Sequence, residues 1–385
     1  MNHPTVMLAA VEPSGDALGA ALFKSLQAKM PDTEFFGCGG AAMARAGFSS
    51  LFPTDAFAVM GFTDVVKALP EGFARARMLA ETAAAKRAKA AVLIDGWAFS
   101  RVLAKRLKAL SPETLIYKYA APQVWASRPQ RVDFVKDHFD GVLTLLPFEP
   151  AFFDAVGAPA AFVGNPTFER AWRTRGDGAA FRKRHELGDA PVLCVLPGSR
   201  RAELTHLLPP FRETVERLHS AIPALRVIAP LAEAVEEQAR THMRDWPHPV
   251  QFVAPAEKYD AFAAATAALA ASGTVSTELA INGAPMVVGY KVDPLTAFWA
   301  RRVKTTPYGS ILNVMADRFV IPEFFQEECT ADHLAPPLLA LFEYDGARRR
   351  QLEAFQSLLG QLALEEDSAG KAANQIIAWM DAVAA

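Results

Sequence analysis

Ser272, Gly273 and Thr274 follow an apolar run directly, and Glu278 stands four residues after Thr274. The Ala271-Ser272-Gly273-Thr274 turn offers two hydroxyls and backbone N–H groups at the start of a helical pattern, where partial positive charge favours an anion. A capping box needs a spacing of three, so local capping does not account for Glu278. A diphosphate on the turn and a ribose hydroxyl on the carboxylate would suit this spacing; an ordinary strand–turn–helix with an exposed Glu is the bland alternative. Leu196-Pro197-Gly198-Ser199-Arg200-Arg201 ends a second apolar run. Its guanidinium groups, beside Ser199, fit a diphosphate clamp, because guanidinium binds phosphate oxygens in pairs. Asp95 ends a third run, where a carboxylate serves as a general base if it faces substrate, or as a helix N-cap if it does not.

Other strand-end turns are less telling. Glu12-Pro13-Ser14-Gly15-Asp16 departs from the G-x-G-x-x-G dinucleotide pattern. Gly37-Cys38-Gly39-Gly40 fits a phosphate cradle no better than it fits a tight turn. The 119–128 loop brings Trp125 together with amide and cationic groups. The sequence has no D-x-D pair, Walker lysine loop or G-x-S-x-G elbow. Metal-independent group transfer is therefore expected, with Arg and helix dipoles neutralising a leaving diphosphate in place of Mg²⁺. Neither a metal site nor a cofactor is expected.

The elements that must hold these groups alternate. Runs of strand character occupy 6–11, 35–37, 91–94, 115–119, 142–145 and 161–163, then 192–196, 225–229, 251–253, 267–271 and 285–290. Helical spacing lies between them, as at 16–29, 99–110 and 203–219. Such alternation means βαβ units and parallel sheets. The expected fold class is α/β, with two doubly wound, Rossmann-like domains facing each other across a cleft and ligands beyond the carboxyl ends of the strands. The expected boundaries are 1–165, 166–345 across the charged stretch 170–190, and 346–385 as helices packing back on the first domain or on a partner subunit.

Composition narrows the function. A formal net charge of −2 gives no electrostatic case for nucleic acid. The three cysteines, Cys38, Cys194 and Cys329, are too far apart in sequence for a metal motif or a disulfide framework, which suits a reducing cytoplasm. The N-terminal apolar run is shorter than a signal peptide needs, and no run approaches the ~20 residues of a membrane span.

In order along nearly the whole chain, these motifs resemble the lipid-A-disaccharide synthase family. The match takes in Ser14-Gly15-Asp16, Ala58-Val59-Met60-Gly61, Ile94-Asp95, Val124-Trp125-Ala126 and Leu146-Pro147-Phe148-Glu149. It continues through Leu196-Pro197-Gly198-Ser199-Arg200, Ala271-Ser272-Gly273-Thr274 with Glu278, Pro285-Met286-Val287-Val288-Gly289-Tyr290 and Gln326-Glu327-Glu328-Cys329. The resemblance implies an inverting glycosyltransferase of the GT-B type. Its donor would be UDP-2,3-diacylglucosamine, its acceptor 2,3-diacylglucosamine 1-phosphate, and its products UDP and the β-1,6-linked lipid A precursor. It implies essential roles for Asp95 and Arg200, a nucleotide site at Ser199 and Ser272–Glu278, and an acceptor side that includes Ser14, Gly15, Asp16, Met60 and Trp125. It also suggests a homodimer, and a cytoplasmic enzyme attached to the inner face of the inner membrane; the apolar segment 57–78, with Lys67, Arg75 and Arg77, would either dip into that interface or pack into the first domain's core. Ala98, Ser127, Asn165 and Leu312 depart from the family's usual residues, several of them on the acceptor side. A paralogue glycosylating another lipid, and a non-catalytic lipid- or nucleotide-binding homologue, therefore stay open alongside the synthase.

Overall fold

The computed structural model describes residues 4–54, 62–343 and 345–384. The chain divides into two compact units, Met1–Pro166 with Glu366–Ala385, and Thr167–Glu365.

The first unit holds β1 (Thr5–Ala10), β2 (Glu34–Cys38), β3 (Ala90–Ile94), β4 (Leu115–Tyr119), β5 (Gly141–Thr144) and β6 (Ala160–Phe162), all parallel, in the order β2-β1-β3-β4-β5-β6. The second holds β7 (Val192–Leu196), β8 (Arg226–Pro230), β9 (Val250–Val253), β10 (Ala267–Ala271), β11 (Met286–Tyr290) and β12 (Glu323–Phe325), likewise parallel, in the order β12-β11-β10-β7-β8-β9. The two doubly wound sheets expected from the alternation are thus present. Every expected run falls on a strand, and β12 is added: it has three residues, too few to show a period.

The central strands β1, β3, β7 and β10 are buried along their whole length, which is why they read as unbroken apolar runs rather than as alternation. Helices cover both faces of the first sheet. Met7, Leu93 and Leu103 lie in one core, and Leu8, Val92 and Leu22 in the other. The last helix, Ser368–Ala384, joins the second of these cores through Ala372, Ala373, Ile376 and Met380. The Trp379 ring stacks on Tyr117 at 5.4 Å, and a side chain on Gly141 would run into that ring. The helix before it, Asp345–Leu359, packs instead on second-unit helices, and Gln351 there accepts a hydrogen bond from the Met286 backbone N–H at 2.5 Å.

Candidate active site

In each sheet there is one place where neighbouring strands send their connections to opposite sides. In the first it lies between β1, which leads to β2, and β3, which leads to β4. In the second it lies between β7, which leads to β8, and β10, which leads to β11. The divergence opens a crevice at the carboxyl ends of these strands, where ligands of doubly wound sheets bind. Ser14 follows β1 and Asp95 follows β3, while Arg200 follows β7 and Ser272–Thr274 follow β10. The groups singled out by chemistry therefore fall at the two positions singled out by topology.

At the first switch point, Asp95 has φ 50° and Gly96 φ 46°, two consecutive left-handed residues. That conformation is strained for an aspartate, by roughly 1–3 kcal/mol, and persists only where the surroundings impose it. Four bonds do so. The Asp95 N–H donates to the Tyr119 carbonyl at 2.9 Å, its own carbonyl accepts from Ser100 Oγ at 2.9 Å and from Lys118 Nζ at 2.6 Å, and its carboxylate accepts from Ser14 Oγ at 2.5 Å. The N-cap of the helix Trp97–Leu110 is Gly96, so Asp95 is not spent as a cap. Gly15 lets the two chain segments meet: a Cβ there would stand 3.0 Å from the Ile94 carbonyl oxygen and 3.1 Å from the Asp95 Cβ. Glu12 also reaches this turn, and its carboxyl is pushed up, first by burial and then by the Asp95 charge.

Asp16 faces away from that chemistry. Its carboxylate accepts from the backbone N–H groups of Gly40 (2.8 Å), Ala42 (2.7 Å) and Met43 (3.0 Å), tying the loop after β2 to the helix that follows β1. The Gly39 N–H goes to Ser50 Oγ at 3.1 Å, so this glycine loop spends its donors internally and is a tight turn. Trp125 is buried; its indole N–H donates at 3.0 Å to Glu149, whose other oxygen takes the Leu145 and Leu146 N–H groups at 3.1 and 3.0 Å. Met60 lies outside the described residues.

At the second switch point, Gly198 has φ 114°, and a Cβ there would collide with Glu203. That room lets the Glu203 carboxylate fold back onto the N–H groups of Ser199 (2.8 Å) and Arg200 (3.2 Å) at the start of the helix Arg201–Ala221. The Arg200 side chain is 66% exposed, and its ion pair with Glu203 is long, at 3.4 Å. On the neighbouring strand end, Gly273 (φ 150°) and Thr274 are exposed, and Ser272 is half-buried. The helix that follows, Val275–Ile281, has seven residues, so its dipole is small and any anion site rests on the loop itself. Glu278 is 4% exposed and accepts from Lys258 Nζ at 2.5 Å and Tyr259 Oη at 3.2 Å. Burial, followed by the Glu278 charge, raises the Tyr259 phenol. A carboxylate offers about four lone-pair positions, so two partners leave room for a ligand hydroxyl.

Sequence reasoning misses Lys118, Lys258 and Tyr259 as site residues; of these, Lys118 alone carries a signal, a charge inside the apolar run Leu115-Ile116-Tyr117-Lys118-Tyr119. Among the described residues, no group of three or more His, Cys, Asp or Glu is arranged to hold a metal ion.

Two doubly wound sheets with polar groups gathered at each switch point are the architecture of the GT-B class. Solved structures share the fold: S. aureus MnaA in a co-structure with UDP (TM-score 0.64, 11% identity, 97% of this chain and 95% of that one), and an α,α-trehalose-phosphate synthase (UDP-forming) from Burkholderia vietnamiensis (0.60, 11%, 99% and 98%). The family described as lipid-A-disaccharide synthetase matches residues 6–377, and the lipid-A-disaccharide synthase of Rhodospirillum centenum is 41% identical over 356 residues, 92% of this chain and 88% of that protein. The chain belongs to the lipid-A-disaccharide synthase family, and it is a glycosyltransferase of lipid A biosynthesis.

Proposed function

We propose that the chain moves 2,3-diacylglucosamine from its UDP derivative to the 6-hydroxyl of 2,3-diacylglucosamine 1-phosphate by a single displacement. The acceptor oxygen bonds to the anomeric carbon as the bond to UDP breaks, with inversion. The hydroxyl proton passes to Asp95, and the electron pair of the broken bond leaves on the diphosphate. Arg200, with Ser199 and the loop Ser272-Gly273-Thr274, takes the diphosphate charge as it develops. Glu278 takes a ribose hydroxyl on the positions that Lys258 and Tyr259 leave open. Ser14 and Gly15 hold the base, and Asp16 and Trp125 hold the walls of the acceptor side.

The observation that carries this reading is the Asp95 turn: a half-exposed carboxylate, fixed in a strained left-handed conformation at a switch point and held by a hydroxyl from the neighbouring strand end. The test is product analysis with UDP-2,3-diacylglucosamine, with and without the monosaccharide acceptor, in the presence of EDTA. UDP and a β-linked disaccharide 1-phosphate should form only when acceptor is present. Epimerised donor, free UDP without acceptor, or no product at all would each overturn the assignment.

Acylated substrates place the work at a membrane surface, and we assign the enzyme to the inner face of the inner membrane. No helix among the described residues is long and apolar enough to cross a bilayer. Within the segment 57–78, residues 57–61 lie outside the described residues, and the remainder opens the helix Phe62–Lys86. Elsewhere Phe298 and Trp299 are 50% and 60% exposed, with the Arg302 guanidinium 3.4 Å from the Phe298 ring centroid. Apolar rings beside cations suit an anionic interface. Sedimentation with anionic vesicles, comparing wild type with Met60→Ser/Phe62→Ser and Phe298→Ser/Trp299→Ser, identifies the contact. Binding unchanged in both double variants would exclude both segments. A second copy of the chain is the remaining partner, read by sedimentation velocity.

A further inference from the structure

Lys118 sits on β4 with its side chain at 0% exposure. Its ammonium donates to three backbone carbonyls at the ends of β3 and β4: Leu93 at 3.2 Å, Asp95 at 2.6 Å and Tyr119 at 3.1 Å. Among the described residues, no carboxylate forms an ion pair with it. The anionic groups that face it are Asp95, beyond β3, and Glu12, beyond β1. A buried ammonium without a contact ion is costly to fold around. The cost shows in its acidity: burial brings the ammonium down to about 8, with Asp95 and then Glu12 pulling the other way.

Two of the three carbonyls do not need this lysine to be satisfied. The Asp95 carbonyl also accepts from Ser100 Oγ at 2.9 Å, and the Tyr119 carbonyl also accepts from the Asp95 N–H at 2.9 Å. An apolar side chain of similar length would leave both paired. A residue that costs stability and is not required for hydrogen bonding is usually retained for function. What only the ammonium supplies is a single charged centre that joins the Leu93 carbonyl of β3 and the Tyr119 carbonyl of β4 to the carbonyl of the left-handed Asp95.

We propose that Lys118 is a positioning residue for the glycosyl transfer: its ammonium locks the Asp95-Gly96 turn and thereby fixes the direction of the Asp95 carboxylate. The proposal rests on the reading that Asp95 is the base. Its chemical logic is that a proton acceptor displaced by an ångström or less from its hydroxyl loses on the order of 10²-fold in rate. The protonated amine can serve all three carbonyls, whereas the neutral amine has one donor fewer and no charge.

The test compares the full-length enzyme with Lys118→Met, which keeps the length and removes the ammonium. The variant should fold with an equal or higher Tm, lose about 10- to 100-fold in kcat, and keep KM for the UDP-sugar donor. In wild type, kcat/KM should fall on the basic side near pH 8, and in Lys118→Met that limb should vanish. With lysine side chains isotopically labelled, the Lys118 signal should titrate near pH 8, and at a lower pH in Asp95→Asn. Wild-type kcat in a folded Lys118→Met enzyme would overturn the proposal. So would an activity loss that only follows a lowered Tm while the basic limb stays in place, since that pattern belongs to a packing role. Failure of the underlying reading appears elsewhere, as near-normal turnover in Asp95→Asn.

Discussion

At the end of β3, Asp95 is held by Ser14 on its carboxylate and by Lys118 and Ser100 on its carbonyl, in a backbone conformation that few residues adopt unforced. At the end of β7, Arg200 is two-thirds exposed with a long contact to Glu203, and at the end of the neighbouring β10, Gly273 and Thr274 are exposed. Both places are switch points of doubly wound sheets, yet one is built rigid and the other loose. The difference matches what each must do. Proton transfer falls off steeply with misalignment, so a base gains from being aimed before substrate arrives. A diphosphate is large, highly charged and many-handed, and a flexible guanidinium can close on it after binding. Until then Glu203 occupies the Ser199 and Arg200 N–H groups, so the helix start is not left with bare donors.

The contrast is tested most severely by Asp95→Asn. It keeps the size and most contacts and removes the basicity, so turnover should fall by ~10²–10⁴-fold with little change in Tm. Near-normal kcat in the folded variant would break the comparison at its rigid end. Arg200→Ala should cost about 10- to 100-fold in kcat/KM, the range for losing a hydrogen bond to a charged group. Because that site is open, added guanidinium should restore part of the rate. A variant with full activity, or one wholly refractory to rescue, would remove the loose end of the contrast.

A smaller effect measures how far the rigidity extends within the first unit. Burial pushes the Glu149 carboxyl from 4.5 up to about 7, against the Trp125 indole and two backbone N–H groups, which lower it. Its folded value lies above its unfolded one. The linked stability is therefore fully present below about 4.5 and is lost as pH rises through about 7. The shift is worth on the order of 3 kcal/mol at most, at ~1.4 kcal/mol per unit. Tm of the wild type should fall as pH rises from about 4.5 to about 7 and level off above that, and Glu149→Gln should flatten that slope. A wild-type Tm that stays level across this range would show that the three donors, not burial, dominate.

The sequence shows the sheets better than it shows the site because burial writes a repeated pattern, whereas a site is written once. Fully buried parallel strands are apolar at every position, so β1, β3, β7 and β10 are plain in the chain. Asp95 and Arg200 are found because each directly follows such a run. Helix starts are harder. The helices begin at Pro13, Trp97 and Arg201, ahead of the periodic positions, because a first turn makes few core contacts. The partners of Glu278 lie 19 and 20 residues away at Tyr259 and Lys258, and no local spacing announces them. Asp16 shows the converse. It stands in the same short motif as Ser14, but its bonds run to residues 40, 42 and 43, so a shared motif does not mean a shared task.

The return of the last helix to the first unit sets the order in which the protein is made. Residues 372–380 complete a core otherwise formed by residues from the N-terminal part of the chain, including Val6, Leu8 and Val92. On the ribosome that core must wait, one face short of its Trp379 and Ile376 cover, while the whole of 167–365 is synthesised. The second unit is complete in sequence first, and until residues 372–380 emerge the nascent N-terminal sheet lacks part of the cover on one of its apolar faces. Chaperones that shield such faces would find their longest-lived target in this chain there, and a stop codon placed just before Ser368 would leave it open permanently.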